Sequence, residues 1–148
     1  MLTDTLVMIR LFLSVALGGL VGLEREVHGR AAGLRTHMMV SLGSCLIMLT
    51  SMYVFDIYKQ SAPVDPSRIA AGVITGIGFL GAGTILRGGN SAEGVRGLTT
   101  ASSLWVVAAI GLAVGTGFYA AAIFTTVLAL VVLLFLGRFE KKVLTSKG

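Results

Sequence analysis

Charge is what this sequence has least of. Only 13% of its 148 residues are Asp, Glu, Lys or Arg, and just seven of them are acids, about half the charged share of an ordinary soluble domain. Hydrophobic residues make up 55%. That balance points away from a soluble protein and toward a small polytopic membrane protein. The single cysteine, Cys45, sits inside an apolar run, so no intramolecular disulfide can form, and its expected use is as a small hydrophobe. His28 and His37 have no nearby acid and nucleophile spaced as a triad, and Cys45 has no evident base. No enzymatic activity and no cofactor are therefore expected. The net charge of +5 does not imply nucleic acid, because the basic residues gather at loop ends and in the tail and form no stripe.

What the chain does have is long uncharged runs, above all residues 69–86, which hold five glycines at 72, 76, 78, 81 and 83. As a helix this run is roughly 27 Å long, near the hydrocarbon thickness of a bilayer. Each glycine would cost about 1 kcal/mol against alanine in a water-exposed helix. In lipid, helices associate through close backbone approach, and Gly72-x-x-x-Gly76 suits that packing. The span is expected at the centre of a bundle. Gly76, Gly78 and Gly81 also match a dinucleotide-binding fingerprint, but the apolar run crosses them unbroken and the nearest downstream acid, Glu93, lies in a Gly-rich loop. The context such a site needs is missing.

In chain order, residues 5–23 read as an uncleaved first span, with Arg10 near the end where a long side chain can snorkel to water; lining a pore is its sharper alternative. A polar segment, 24–36, follows. Continued by one turn, its helix would put Glu24 and His28 on one face, and Glu26 and Arg30 likewise, whereas Glu24 and Glu26 point apart and form no two-carboxylate Mg²⁺ site. Spans are expected at 38–58, 69–86, 100–115 and 118–136. Asp65, Pro66 and Ser67 look like the start of the third, and Gly115-Thr116-Gly117 is a tight turn between the last two. Residues 87–99 read as a flexible, water-exposed loop, and 137–148 as a basic tail. Five spans put nine basic residues (Arg25, Arg30, Arg35, Arg87, Arg96, Arg138, Lys141, Lys142 and Lys147) on one side, against Lys59 and Arg68 on the other. The N-terminus is then outside and the C-terminus cytoplasmic.

Four stretches, in order and spacing, resemble the membrane domain of the MgtC/SapB family over roughly residues 6–135. They are Gly22-Leu23-Glu24-Arg25-Glu26, Ala32-Gly33-Leu34-Arg35-Thr36-His37, Arg68-Ile69-Ala70-Ala71 with residues 75–83, and Gly97-Leu98-Thr99-Thr100-Ala101 with Trp105. The resemblance implies an all-α bacterial inner-membrane protein linked to growth at low magnesium, acid stress and, in pathogens, survival inside host cells. It also implies action on other membrane machinery, including the ATP synthase and transporters, in a family once labelled magnesium-transport proteins. The sequence departs from the best-known members by ending soon after the fifth span, where they carry a soluble domain, and by Ser102 where a second alanine is expected.

The polar residues carried by these motifs form a candidate cluster at the cytoplasmic ends of the spans: Glu24, Arg25, Arg35, Thr36, His37, Arg87, Arg96, Thr99 and Thr100. Ordinary anchoring and topology signals would account for them. The sharper expectation has Glu24 pairing with Arg25 or Arg35 across helices and the threonines capping helix starts, locking the bundle or binding an anion at helix N-termini. No confident metal site is visible, and a Mg²⁺ path would be expected to show carboxylates facing it. Gly18, Gly22, Gly72, Gly76, Gly78, Gly81, Gly83, Gly111 and Gly115 are the expected helix-packing positions, and a homodimer through one Gly-x-x-x-Gly face is expected. The expected function is regulation of membrane partners, with a small Mg²⁺ or other ion transporter or channel as the alternative. Expected contacts are lipids, a second copy and other membrane proteins, with no nucleic acid.

Overall fold

The computed structural model describes residues 3–61, 63–87 and 95–136. The chain is all-α. Helix α1 spans Asp4–Val27, α2 Leu34–Tyr58, α3 Ser67–Thr84, α4 Leu98–Thr116 and α5 Tyr119–Val131, the last continuing as a π-helical turn, Val132–Leu136. Between α3 and α4, Leu86–Arg87 (β1) pairs antiparallel with Val95–Arg96 (β2). A short ladder thus clamps both ends of a segment expected to be loop throughout. Residues 88–94, including Asn90, Ser91 and Glu93, and the tail 137–148 lie outside the described residues.

The helices run up and down. Gly18 and Gly22 of α1 face His37, Ser41 and Leu34 of α2, so these two are antiparallel. Gly111 and Gly115 of α4 face Ser41, Ser44, Cys45 and Met48, which makes α2 and α4 parallel. The local chemistry explains the boundaries. Glu26 Oε2 accepts the Leu34 N–H at 2.9 Å, so the end of α1 caps the start of α2. Asp65 Oδ1 accepts from the Ser67 N–H at 2.8 Å and from its hydroxyl at 2.7 Å, starting α3 just after Pro66. These bonds to the charged form hold the Asp65 carboxyl below the usual carboxylate range. Gly117, at φ +87°, ends α4 with Gly117 N–H on the Val114 carbonyl and Phe118 N–H on that of Ala113, a left-handed stop that favours glycine.

The centre of the bundle is α4, and α3, expected there, is peripheral. Nine residues of α4 are buried, from Thr100 to Gly115, against Ala70, Ile77 and Gly81 on α3. A Cβ added at Gly72, Gly76, Gly78 or Gly83 would meet nothing within 4 Å. Glycine permits close approach but supplies no side chain to bury, so the central place goes to the helix with apolar bulk on every face. Leu17, Cys45, Leu49, Ile110, Val114 and Ala122 form one core cluster, and Ala32, Ile77, Leu104 and Ala108 a second, smaller one.

The interior is unusually polar and the exterior apolar. Arg10, Ser14, Glu24, Arg25, His37, Ser41, Ser44, Ser51, Thr100, Ser103 and Thr126 are buried, whereas Phe12, Met39, Phe79, Phe118, Phe124 and Phe135 each lie more than 60% exposed. Such a surface suits lipid. Helices α1, α2 and α4 are long and apolar enough to cross a membrane; α5 is a shorter apolar helix.

Candidate functional site

The end of α1, the start of α2 and the first turns of α4 bring one polar cluster together. Glu24 is 8% exposed and Arg25 3%. Glu24 Oε2 lies 3.4 Å from Arg25 Nη1, and Glu24 Oε1 lies 3.1 Å from His28 Nδ1. His28 Nδ1 also reaches the Glu24 carbonyl at 2.8 Å. The pairing therefore joins neighbours on one helix and does not bridge helices as expected. Arg35, the other candidate partner, is exposed. The reason is geometric: Glu24 and Arg25 both turn into the bundle at the last turns of α1, while Arg35 sits on the outer face of α2's first turn.

The bridge between helices is made by His37, which is fully buried. Its Nδ1 lies 2.9 Å from the Gly33 carbonyl, which can only accept, so Nδ1 carries a proton. Its Nε2 lies 3.0 Å from Ser103 Oγ on α4, and Ser103 Oγ lies 2.8 Å from the Thr100 carbonyl. Ser103 has one proton to give. A neutral His37 takes it at Nε2; a charged His37 donates from Nε2 and frees the serine for Thr100. Arg25 Nε and Ser41 Oγ are buried with no hydrogen-bond partner among the described residues.

Thr36, Thr99 and Thr100 are not caps. The residues preceding α2 and α4 are Gly33 and Gly97, with no side-chain cap bond. Thr100 is buried in the cluster and contributes its carbonyl; Thr36 and Thr99 are exposed. Gly97 has φ +93°, and a Cβ there would sit 1.9 Å from the Thr84 carbonyl oxygen, which leaves no residue but glycine to enter α4. Arg96 is exposed in β2, and Arg87 is described by its backbone place in β1. Of the expected cluster, Glu24 and Arg25 meet, with His28 added, and His37 reaches Thr100 through Ser103. Ser103 follows Thr100 at i+3, a helical spacing that marks the same face.

A second buried cation lies toward the opposite end. Arg10 is 7% exposed and so does not snorkel. Its Nη1 donates to the Gly115 carbonyl at 2.7 Å, its Nε donates to Tyr119 Oη at 3.0 Å, and the guanidinium carbon lies 5.8 Å from the centre of that ring. It neutralises the C-terminus of α4, where helix carbonyls lack partners and the helix dipole favours a cation. The glycines at that turn leave the space, since a Cβ on Gly117 would stand 2.8 Å from Arg10 Nη2. Among the described residues no group of three or more His, Cys, Asp or Glu side chains is placed to hold a metal.

The helix-packing glycines fall into three groups. At Gly18, Gly22, Gly111 and Gly115 an added Cβ would come within 3.0 Å of a neighbouring helix. Gly81 has ordinary contact with Ala101 at 3.5 Å, and Gly72, Gly76, Gly78 and Gly83 are open.

The family model described as "MgtC family" matches residues 11–142. The chain is 46% identical over 127 residues to "Putative magnesium transporter YhiD" of Escherichia coli K12, covering 84% of this chain and 58% of that protein. It is 42% identical over 122 residues to "Protein MgtC" of Salmonella typhimurium LT2, covering 82% of this chain and 48% of the relative. An uncharacterized protein of Haemophilus influenzae is 41% identical over 125 residues, covering 82% and 52%. The chain thus spans about half the length of the curated relatives it matches. No solved structure matches it.

Proposed function

The chain belongs to the MgtC family, and from that premise we infer that it is a five-span bacterial inner-membrane protein, N-terminus outside and C-terminus cytoplasmic, that serves magnesium homeostasis as a non-enzymatic regulator of other membrane proteins. The magnesium link draws on the name of the Escherichia coli relative. Regulation rather than transport is supported by one observation above all. Glu24, the buried carboxylate of the cluster, is engaged by Arg25 and His28 instead of facing an open path. Mg²⁺ sheds water reluctantly and a conducting route needs free oxygen ligands, while the α1–α2–α4 seam is closed at every glycine contact. Stress adaptation, and virulence in a pathogen, belong to the same reading, with the ATP synthase or transporters as partners. Gly18, Gly22, Gly111 and Gly115 are spent inside the bundle, so a second copy in a homodimer docks on an outer face that those glycines do not form.

The test is Mg²⁺ entry into liposomes that hold the purified, correctly inserted protein and an internal dye, beside empty liposomes. Flux no greater than in empty liposomes is expected. Saturable uptake, lost on Glu24→Gln, would establish the transporter reading suggested by the name of the Escherichia coli relative. A reporter fused after Gly148 and active only outside the cell would overturn the topology.

A further inference from the structure

The groove between α2 and α3 has an apolar length and a basic head. Its walls include Val40 and Gly43 of α2 and Gly72, Gly76 and Leu80 of α3, and its volume is about 630 Å³. It is open because Gly43, Gly72 and Gly76 face nothing within 4 Å. Thr36 lines the groove at the α2 N-terminal end, and the same residue lines a polar cavity of about 390 Å³ with Glu26, Arg30, Gly33 and Arg35. Thr36 thus stands between the two spaces, which adjoin at it.

Charge and length select an occupant. Arg30 and Arg35 are exposed, and among the described residues neither has an ion-pair partner. Glu26, the acid beside them, is committed to the Leu34 N–H at the start of α2. The cavity keeps a positive balance next to the positive end of a helix dipole. From Thr36 to Ile47 the α2 wall of the groove runs about 16 Å, close to half of the roughly 30 Å hydrocarbon core. A phosphate at the arginines would thus leave one acyl chain lying along the groove at the depth of a single leaflet. On the proposed topology this is the cytoplasmic leaflet, where anionic lipids attract basic side chains.

We propose that the α2–α3 groove is a binding site for an anionic phospholipid, its phosphate held by Arg30 and Arg35 and one acyl chain laid over Gly43, Gly72 and Gly76. This goes beyond the regulator reading and is independent of whether Mg²⁺ is moved, because lipid retention is measured directly on the protein in detergent.

Native mass spectrometry of the detergent-solubilised chain, with added phosphatidylglycerol or phosphatidylcholine of matched acyl chains, tests it. Each arginine near an anionic headgroup is worth about a fivefold gain. A preference for phosphatidylglycerol of about tenfold or more is expected, falling to about twofold or less in Arg30→Gln/Arg35→Gln. Gly76→Leu, which fills the groove without touching the arginines, should lower retention of both lipids. Excess inorganic phosphate should fail to displace the lipid. Thermal unfolding of each variant within a few degrees of the parent establishes that the fold is kept, both changes being at exposed positions. Equal retention of the two lipids, a preference that survives loss of both arginines, displacement by free phosphate, or a Gly76→Cys variant that crosslinks two copies in native membranes would each overturn the proposal.

Discussion

Alanine at Gly111 and alanine at Gly76 should move stability in opposite directions. A Cβ at Gly111 would stand 2.3 Å from the Ser41 carbonyl oxygen and 2.9 Å from Ser44 Cβ, whereas ordinary contact begins near 3.4 Å. The obstacle is α2 backbone, fixed by its own helix, so α2 and α4 must part by about 1 Å along their shared seam. Overpacking of this kind costs about 1–3 kcal/mol, set against about 1 kcal/mol gained in helix propensity by replacing glycine. At Gly76 nothing lies within 4 Å, so only the gain remains. The two variants should differ by the overpacking cost alone, about 1–3 kcal/mol, or about 3–10 °C in midpoint at the usual scaling for this size. Thermal unfolding in mild detergent, followed by the fluorescence of Trp105, the sole tryptophan, reads the difference. If Gly76→Ala proves as damaging as Gly111→Ala, α3 has a packed neighbour and the placement of α4 at the centre is wrong.

Glu24→Ala strands a guanidinium that is 3% exposed and should cost about 3–5 kcal/mol, while Glu24→Leu/Arg25→Met, which removes both charges, should cost much less; equal losses in chemical unfolding would argue against the pair. Arg10→Met leaves the Gly115 carbonyl and the Tyr119 hydroxyl without their donors and should cost about 2–3 kcal/mol, against about 1 kcal/mol for Tyr119→Phe; the same measurement decides, and a harmless Arg10→Met would refute the capping role. Gly97→Ala should fail to insert or fold, since it combines φ +93° with a collision against Thr84; normal yield and a normal unfolding midpoint would contradict that. The bonds from Ser67 keep the Asp65 carboxyl low, so their contribution is present above the ordinary carboxylate range and is lost as pH falls through the depressed value. The Ser67 amide resonance should therefore titrate below the usual aspartate range, and an ordinary midpoint would remove the bond.

The helical class is legible in the sequence because charge density and apolar run length are local properties. The same is true of Glu24 and His28, whose i,i+4 spacing alone puts them on one face. The sequence misled at α3. Its glycines suggested a packing face, but whether a smooth helix face receives a neighbour depends on bulk supplied elsewhere, and Gly72, Gly76, Gly78 and Gly83 receive none. From sequence alone Arg10 reads as reaching for water, because its partners are a carbonyl and a hydroxyl 105 and 109 residues away. Ser103 gives no sequence signal, because a lone serine carries none until His37 is placed opposite it. The Leu86–Arg87 and Val95–Arg96 ladder was hidden by the Gly-rich run between them, which reads as loop at any window length.

The latch formed by Arg10 also sets an order of events during synthesis. Glu26 reaches its partner only eight residues on, so the α1–α2 hairpin can be capped as soon as it emerges. Arg10 must wait for Gly115 and Tyr119, and at about 5–20 residues per second that is an interval of roughly 5–20 s. Through that interval a guanidinium destined for burial has no acceptor from α4. The first helix therefore enters the membrane with an unpaid charge near one end, and the arrival of the α4–α5 turn is the step that seals the molecule.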